Sequence, residues 1–190
     1  MTRSEADRRP PAALAVINGD DVDEDLFTAA TKLADILVSA GFATRAAMGT
    51  GRLDQDLMVA DLIGTGSRTG PGPDHRTVCR LIGSRSVSHG PESHESRFLV
   101  ETDQRRSVTR RLAPFEITHG HDHIETAADV RVIAWRRAAA RREPVAHVWR
   151  AGRGRVCYLQ LGHDTRARDD PPVRAFVIRA ARWARPEVAR

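Results

Sequence analysis

The stretch PVAHVWRAGRGRVCYLQLGHD, residues 144–164, constrains this chain more than any other. Two apolar runs flank Ala151-Gly152-Arg153-Gly154, a glycine-bearing turn, and the pair is expected to fold as a β-hairpin. The second run then ends by delivering Gly162, His163 and Asp164 together. In an open α/β sheet, ligands sit beyond the carboxyl ends of the strands, where a glycine permits close approach. A His–Asp pair at such a strand end is chemically equipped to bind a hydroxylated ligand or to move a proton. The competing reading is structural: both side chains cap neighbouring backbone and shape the loop that follows.

The rest of the chain supplies partners for that hairpin. Residues 1–11 read as a disordered leader, and 12–186 as a single domain. AALAVIN, residues 12–18, is an apolar run followed by the polar NGDDVDED, which predicts a strand, a loop and a helix start. Leu26, Ala30, Leu33 and Leu37 then fall on one helical face, with Asp23 or Asp25 as the cap and Gly41 as the stop. FATRAAM and LMVADLIGTG (57–66) are further strand candidates. Strand, helix, strand, strand, with apolar runs that do not alternate, predicts a doubly wound α/β sheet, mostly parallel and covered on both faces. Beyond a Gly/Pro-rich loop at 66–75, RTVCRLIG predicts a short helix, and RFLVET and DVRVIAWR predict strands. A last helix is expected from Pro172 to Ala184, with Val173, Phe176, Val177, Ala180 and Ala184 as its apolar stripe.

Composition excludes several classes. The formal charge is +5, but the 25 acidic residues are interspersed with the basic ones, and no nucleic-acid motif accompanies the arginines. Nucleic acid is therefore not the expected partner. No apolar run approaches the ~20 residues of a membrane span, and the N-terminus has no signal-like apolar core, so a cytoplasmic protein is expected. Cys79 and Cys157 stand far apart among apolar neighbours and read as buried thiols.

Two further constellations carry chemistry. His119, His121 and His123 occur at alternate positions, so an extended segment would turn all three imidazoles to one side. Three neutral imidazoles suit zinc or another divalent metal; an exposed polar loop is the alternative. Asn18 and Asp20 follow the first strand, where they are placed either to hydrogen-bond sugar hydroxyls or to cap the next helix.

From the hairpin onward the sequence resembles the C-terminal part of the ThuA-like (trehalose-utilisation) family. Pro144, Val145, Gly152, Gly154, Arg155, Val156, Tyr158, Leu161, Gly162, His163, Asp164, Pro171 and Trp183 fall on that family's PVAW…YGKGRVFY…LGHD pattern and the helix after it. LIGSRSVSH (81–89) is similar to its LLGGxFxxH, with Gly83 and His89 in register, and SVTRRLAPFEI (107–117) to its HPITRGLPDFEI. The resemblance implies a flavodoxin-like sheet related to class I glutamine amidotransferases, with a C-terminal hairpin and helix. It implies a role in carbohydrate metabolism, with His163 as the first candidate for general base or ligand contact, oriented by Asp164, and His89 and Gly162 as candidate ligand contacts beside the Asn18 and Asp20 of the first strand's loop.

The chain departs from the pattern in three places. The family's GGGLVGLHxA strand and turn have no counterpart between Ile63 and Leu81. Its His-Pro is Arg106-Ser107 here, and the acidic segment after FEI has become THGHDHIE. Two alternatives follow: a non-catalytic, homo-oligomeric scaffold, or a metal-dependent hydrolase built on the histidines.

Overall fold

The computed structural model describes residues 10–18, 26–48, 62–67, 75–88, 95–120, 123–138, 141–152, 154–162 and 165–185. The first strand, β1 (Ala12–Asn18), leads into α1 (Leu26–Ser39), which returns the chain to β2 (Ala43–Met48). β2 and β3 (Leu62–Ser67) both pair parallel with β1, so this sheet has the order β2-β1-β3. Here the sequence reading holds closely. Ala30 and Leu37 are buried on α1's inner face, and Gly41 takes φ +94° just after the helix.

The remaining sheet structure overturns the doubly wound, mostly parallel expectation. A five-stranded antiparallel sheet has the order β10-β9-β8-β5-β6, formed by β5 (Ser96–Thr102), β6 (Phe115–His119), β8 (Arg131–Ala138), β9 (Arg141–Ala151) and β10 (Gly154–Leu159). A separate two-stranded antiparallel sheet joins β4 (Ser84–Ser88) to β7 (His123–Thr126). Connection length decides this. Ala138 pairs with Arg141 and Ala151 with Gly154, whereas a parallel crossover needs about a dozen residues or more. β6 also shows the alternation of a sheet with one wet face: Phe115, Ile117 and His119 are buried, Glu116 and Thr118 exposed.

The short helix α2 (His75–Ile82) precedes β4, and α3 (Thr165–Asp169) precedes α4 (Pro171–Ala184). α4 joins the two larger sheets. Its Val173 and Phe176 pack with Phe98, Val100, Ile117, Ile133 and Val145 of the antiparallel sheet, while Ala181 joins Ala13, Ala15, Leu37 and Phe42 on the parallel side. Asp170 caps α4, its carboxylate accepting from Val173 N at 3.2 Å. Both cysteines are free thiols, and burial pushes Cys157 up to about 12, which removes it as a thiolate nucleophile at neutral pH.

Candidate functional site

β10 ends at Leu159, and Gln160 N donates to Val145 O at 2.9 Å, prolonging the hairpin ladder. Leu161 turns into the core at 4% exposure. Gly162 is then held on both sides of its backbone. Its N–H donates to His119 Nε2 at 3.1 Å, and its carbonyl accepts from an Arg168 guanidinium nitrogen at 2.7 Å. Both side chains are buried, His119 at 1% exposure and Arg168 at 7%. His119 comes from the last position of β6 and Arg168 from α3, so the strand end is fixed by two elements distant in sequence.

This network settles the state of His119. A ring nitrogen that accepts from an amide must be unprotonated, and Nδ1 lies against the Gly120 carbonyl, to which it donates. His119 is therefore the neutral Nδ1–H tautomer. Its pairing with Gly162 makes it a backbone anchor at the strand end.

His119 ends β6 of the five-stranded sheet, and His123 begins β7 of the two-stranded one. His123 Nδ1 is 3.2 Å from Glu143 Oε1, while Arg136 Nε donates to Glu143 Oε2 at 2.8 Å. Glu143 is a buried carboxylate on β9, opposite Arg136 on β8. Charged groups this deep are retained when paired, and each carboxylate oxygen has its own partner here. Among the described residues no group of three or more His, Cys, Asp or Glu side chains is arranged to hold a metal ion.

Of the other residues singled out by sequence, Asn18 ends β1, opposite Ser67 of β3. Asp20, His89, His121, His163 and Asp164 lie outside the described residues. Sequence reasoning passed over Arg168, Glu143 and Arg136. Glu143 carried a signal, a lone carboxylate against the apolar PVA of a strand; Arg168, within TRARDD, carried none. It also left His147 without a role. That imidazole is fully buried and stacks on Tyr158 with ring centroids 4.9 Å apart. Its Nε2 donates to Ile82 O at 2.8 Å, and Trp149 Nε1 donates to Leu81 O at 3.0 Å, so β9 caps the carboxyl end of α2.

No protein-family model matches the sequence, and no curated protein is significantly similar to it. Solved structures are. The crystal structure of a protein from Parabacteroides merdae ATCC 43184, designated ThuA-like, superposes with a TM-score of 0.65 at 14% identity, over 92% of this chain and 90% of that one. A second protein designated ThuA-like, from Bacteroides uniformis ATCC 8492, gives 0.65 at 12% identity, over 97% and 95%. At such identities the likeness is one of fold. The overall fold is one that proteins designated ThuA-like share, in agreement with the resemblance of the hairpin region.

Proposed function

We propose that the chain is a ThuA-like protein of carbohydrate metabolism that binds a sugar-like ligand where β10 ends, through Gly162, His163 and Asp164. The observation that carries this reading is the double anchoring of Gly162. Two buried polar side chains, His119 and Arg168, are committed to the N–H and C=O of one strand-end residue. Desolvating a guanidinium and an imidazole costs free energy that a loop free to wander would not require. A strand end fixed at Gly162 suits a preorganised site, because part of the ordering cost is met before the ligand arrives. His163 and Asp164 would then present an imidazole and a carboxylate to ligand hydroxyls.

The test is calorimetric titration with a panel of neutral and acidic mono- and disaccharides, trehalose included. Saturable binding to at least one of them, weakened about tenfold or more in His163→Ala, is the expected result; tenfold corresponds to about 1.4 kcal/mol. Failure of every sugar to saturate the wild-type protein overturns the reading.

A further inference from the structure

The β4–β7 pair contains an irregularity with a chemical consequence. Ser84, Arg85 and Ser86 face Thr126, Glu125 and Ile124 in order, but the next partner of His123 is Ser88, not Val87. Val87 is the extra residue of a β-bulge. Without it, Val87 would stand opposite His123 and Ser88 would fall beyond the pair. Bulges re-aim side chains in this way and are frequent beside active sites. Directly opposed residues of an antiparallel pair share a face, with β-carbons about 5 Å apart. Ser88 is therefore brought onto the side of the sheet that carries the His123 imidazole.

Behind that imidazole stands Glu143, 3.2 Å from Nδ1, and behind Glu143 stands Arg136. A carboxylate on Nδ1 selects the Nδ1–H tautomer and turns the basic lone pair to Nε2, away from the carboxylate. Exposure falls in the same order: Ser88 is exposed, the His123 side chain is 23% exposed and that of Glu143 is 8% exposed. Arg136 donates to the other carboxylate oxygen and fixes Glu143 in place. Nucleophile in solvent, base half-buried and orienting acid in the interior are the parts of a triad, recognised by geometry and role.

We infer that Ser88, His123 and Glu143 form a Ser-His-Glu hydrolytic site for carboxylic esters, separate from the end of β10 and independent of the ligand proposed for it. In its first step the Ser88 oxygen attacks the ester carbonyl carbon while His123 Nε2 takes the hydroxyl proton. The tetrahedral adduct collapses with cleavage of the ester C–O bond, and the alcohol leaves with the proton from His123. Water then attacks the acyl-serine and gives its proton to His123. Cleavage of the acyl–Oγ bond releases the acid, and the proton returns to Ser88. Glu143 is a positioning residue throughout.

The test uses the full-length chain and an alkyl fluorophosphonate, which an activated serine oxygen attacks at phosphorus with loss of fluoride. Peptide mass spectrometry is expected to find the adduct on Ser88, and Ser88→Ala, at an exposed position, to abolish it while keeping the wild-type melting curve. His123→Ala should slow labelling by about 10²-fold or more. Glu143→Gln should slow it and change its pH dependence, with Glu143→Asp recovering part of the rate. p-Nitrophenyl acetate hydrolysis should fall in parallel. A wild-type chain unlabelled at Ser88, or labelling of Ser88 at the same rate in His123→Ala, overturns the inference.

Discussion

The two larger sheets are built from different materials, and the difference shows where this molecule keeps its stability. Among the described residues, the parallel unit buries five alanines, Ala13, Ala15, Ala29, Ala30 and Ala40, beside Leu14, Ile36, Leu37 and Phe42. The antiparallel unit buries Phe98, Phe115, Ile117, Ile133, Val145 and Phe176. Small side chains let α1 approach the sheet closely but remove little apolar area from water per residue; large ones do the reverse. Polar traffic differs too. The antiparallel unit encloses His119, Glu143 and His147, each with a hydrogen-bonded or ionic partner, and its open face pairs Arg97 with Glu116 and Arg137 and Arg142 with Glu101. Those exposed pairs contribute little individually. The stability of that unit rests on its aromatic and branched interior.

The largest expected effect tests this contrast directly. Phe176→Ala should cost about 4 kcal/mol, because a fully buried ring is lost from the centre of the large core. Leu37→Ala, equally buried but on the alanine-rich side, should cost about 2–3 kcal/mol. Urea unfolding of both variants measures the two values, and an equal or reversed order would break the comparison. α4 serves both cores, so each variant should still unfold in one transition.

A smaller effect is expected where α2 docks on β9. Gly83 has φ +75°, and a β-carbon there would lie 2.7 Å from Val130 Cγ1 and 3.0 Å from Trp149 Nε1. Gly83→Ala therefore combines a left-handed backbone with a clash, and should cost about 2 kcal/mol and weaken the Trp149–Leu81 bond. Thermal unfolding together with the tryptophan emission maximum checks this; an unchanged melt would mean that α2 contributes nothing to the larger sheet.

The smallest effect is a pH dependence. Burial lowers the pKa of His147 in the folded chain, and the Ile82 bond opposes that shift only in part. Between the folded value and the unfolded value of about 6.5, the unfolded chain holds the extra proton. The contribution of His147 to stability is thus complete above about pH 6.5 and is lost as pH falls toward the folded pKa. Urea midpoints from pH 7.5 to 5 should fall less steeply in His147→Gln than in wild type. Identical slopes would show that this imidazole is not held neutral by its surroundings.

Much of the molecule is legible in its sequence. Local signals, an apolar run bounded by turn residues and a stripe at helical spacing, placed β1, α1, β2 and α4 almost to the residue and located both hairpin strands, although β9 starts earlier, at Arg141, and β10 ends sooner, at Leu159. Local signals also explain the omissions. β4 and β6 are short, five residues each, and neither stands out as an apolar run against its flanks. The doubly wound expectation failed because continuous apolar runs record burial without recording direction. β9 is covered on both faces as a parallel strand would be, yet it has antiparallel neighbours on either side.

The sequence by itself determined where the chain is extended or helical, that Gly152 can make the hairpin turn, and that the strand end carries a glycine, an imidazole and a carboxylate. Tertiary structure alone decided which groups meet. His119 reaches across 43 residues to Gly162, and Glu143 comes between His123 and Arg136 because β9 pairs with β8 in one register and not another. The reason is physical. Backbone conformation follows from interactions within a few residues, whereas a buried charge or imidazole is tolerated only where distant strands bring it a partner.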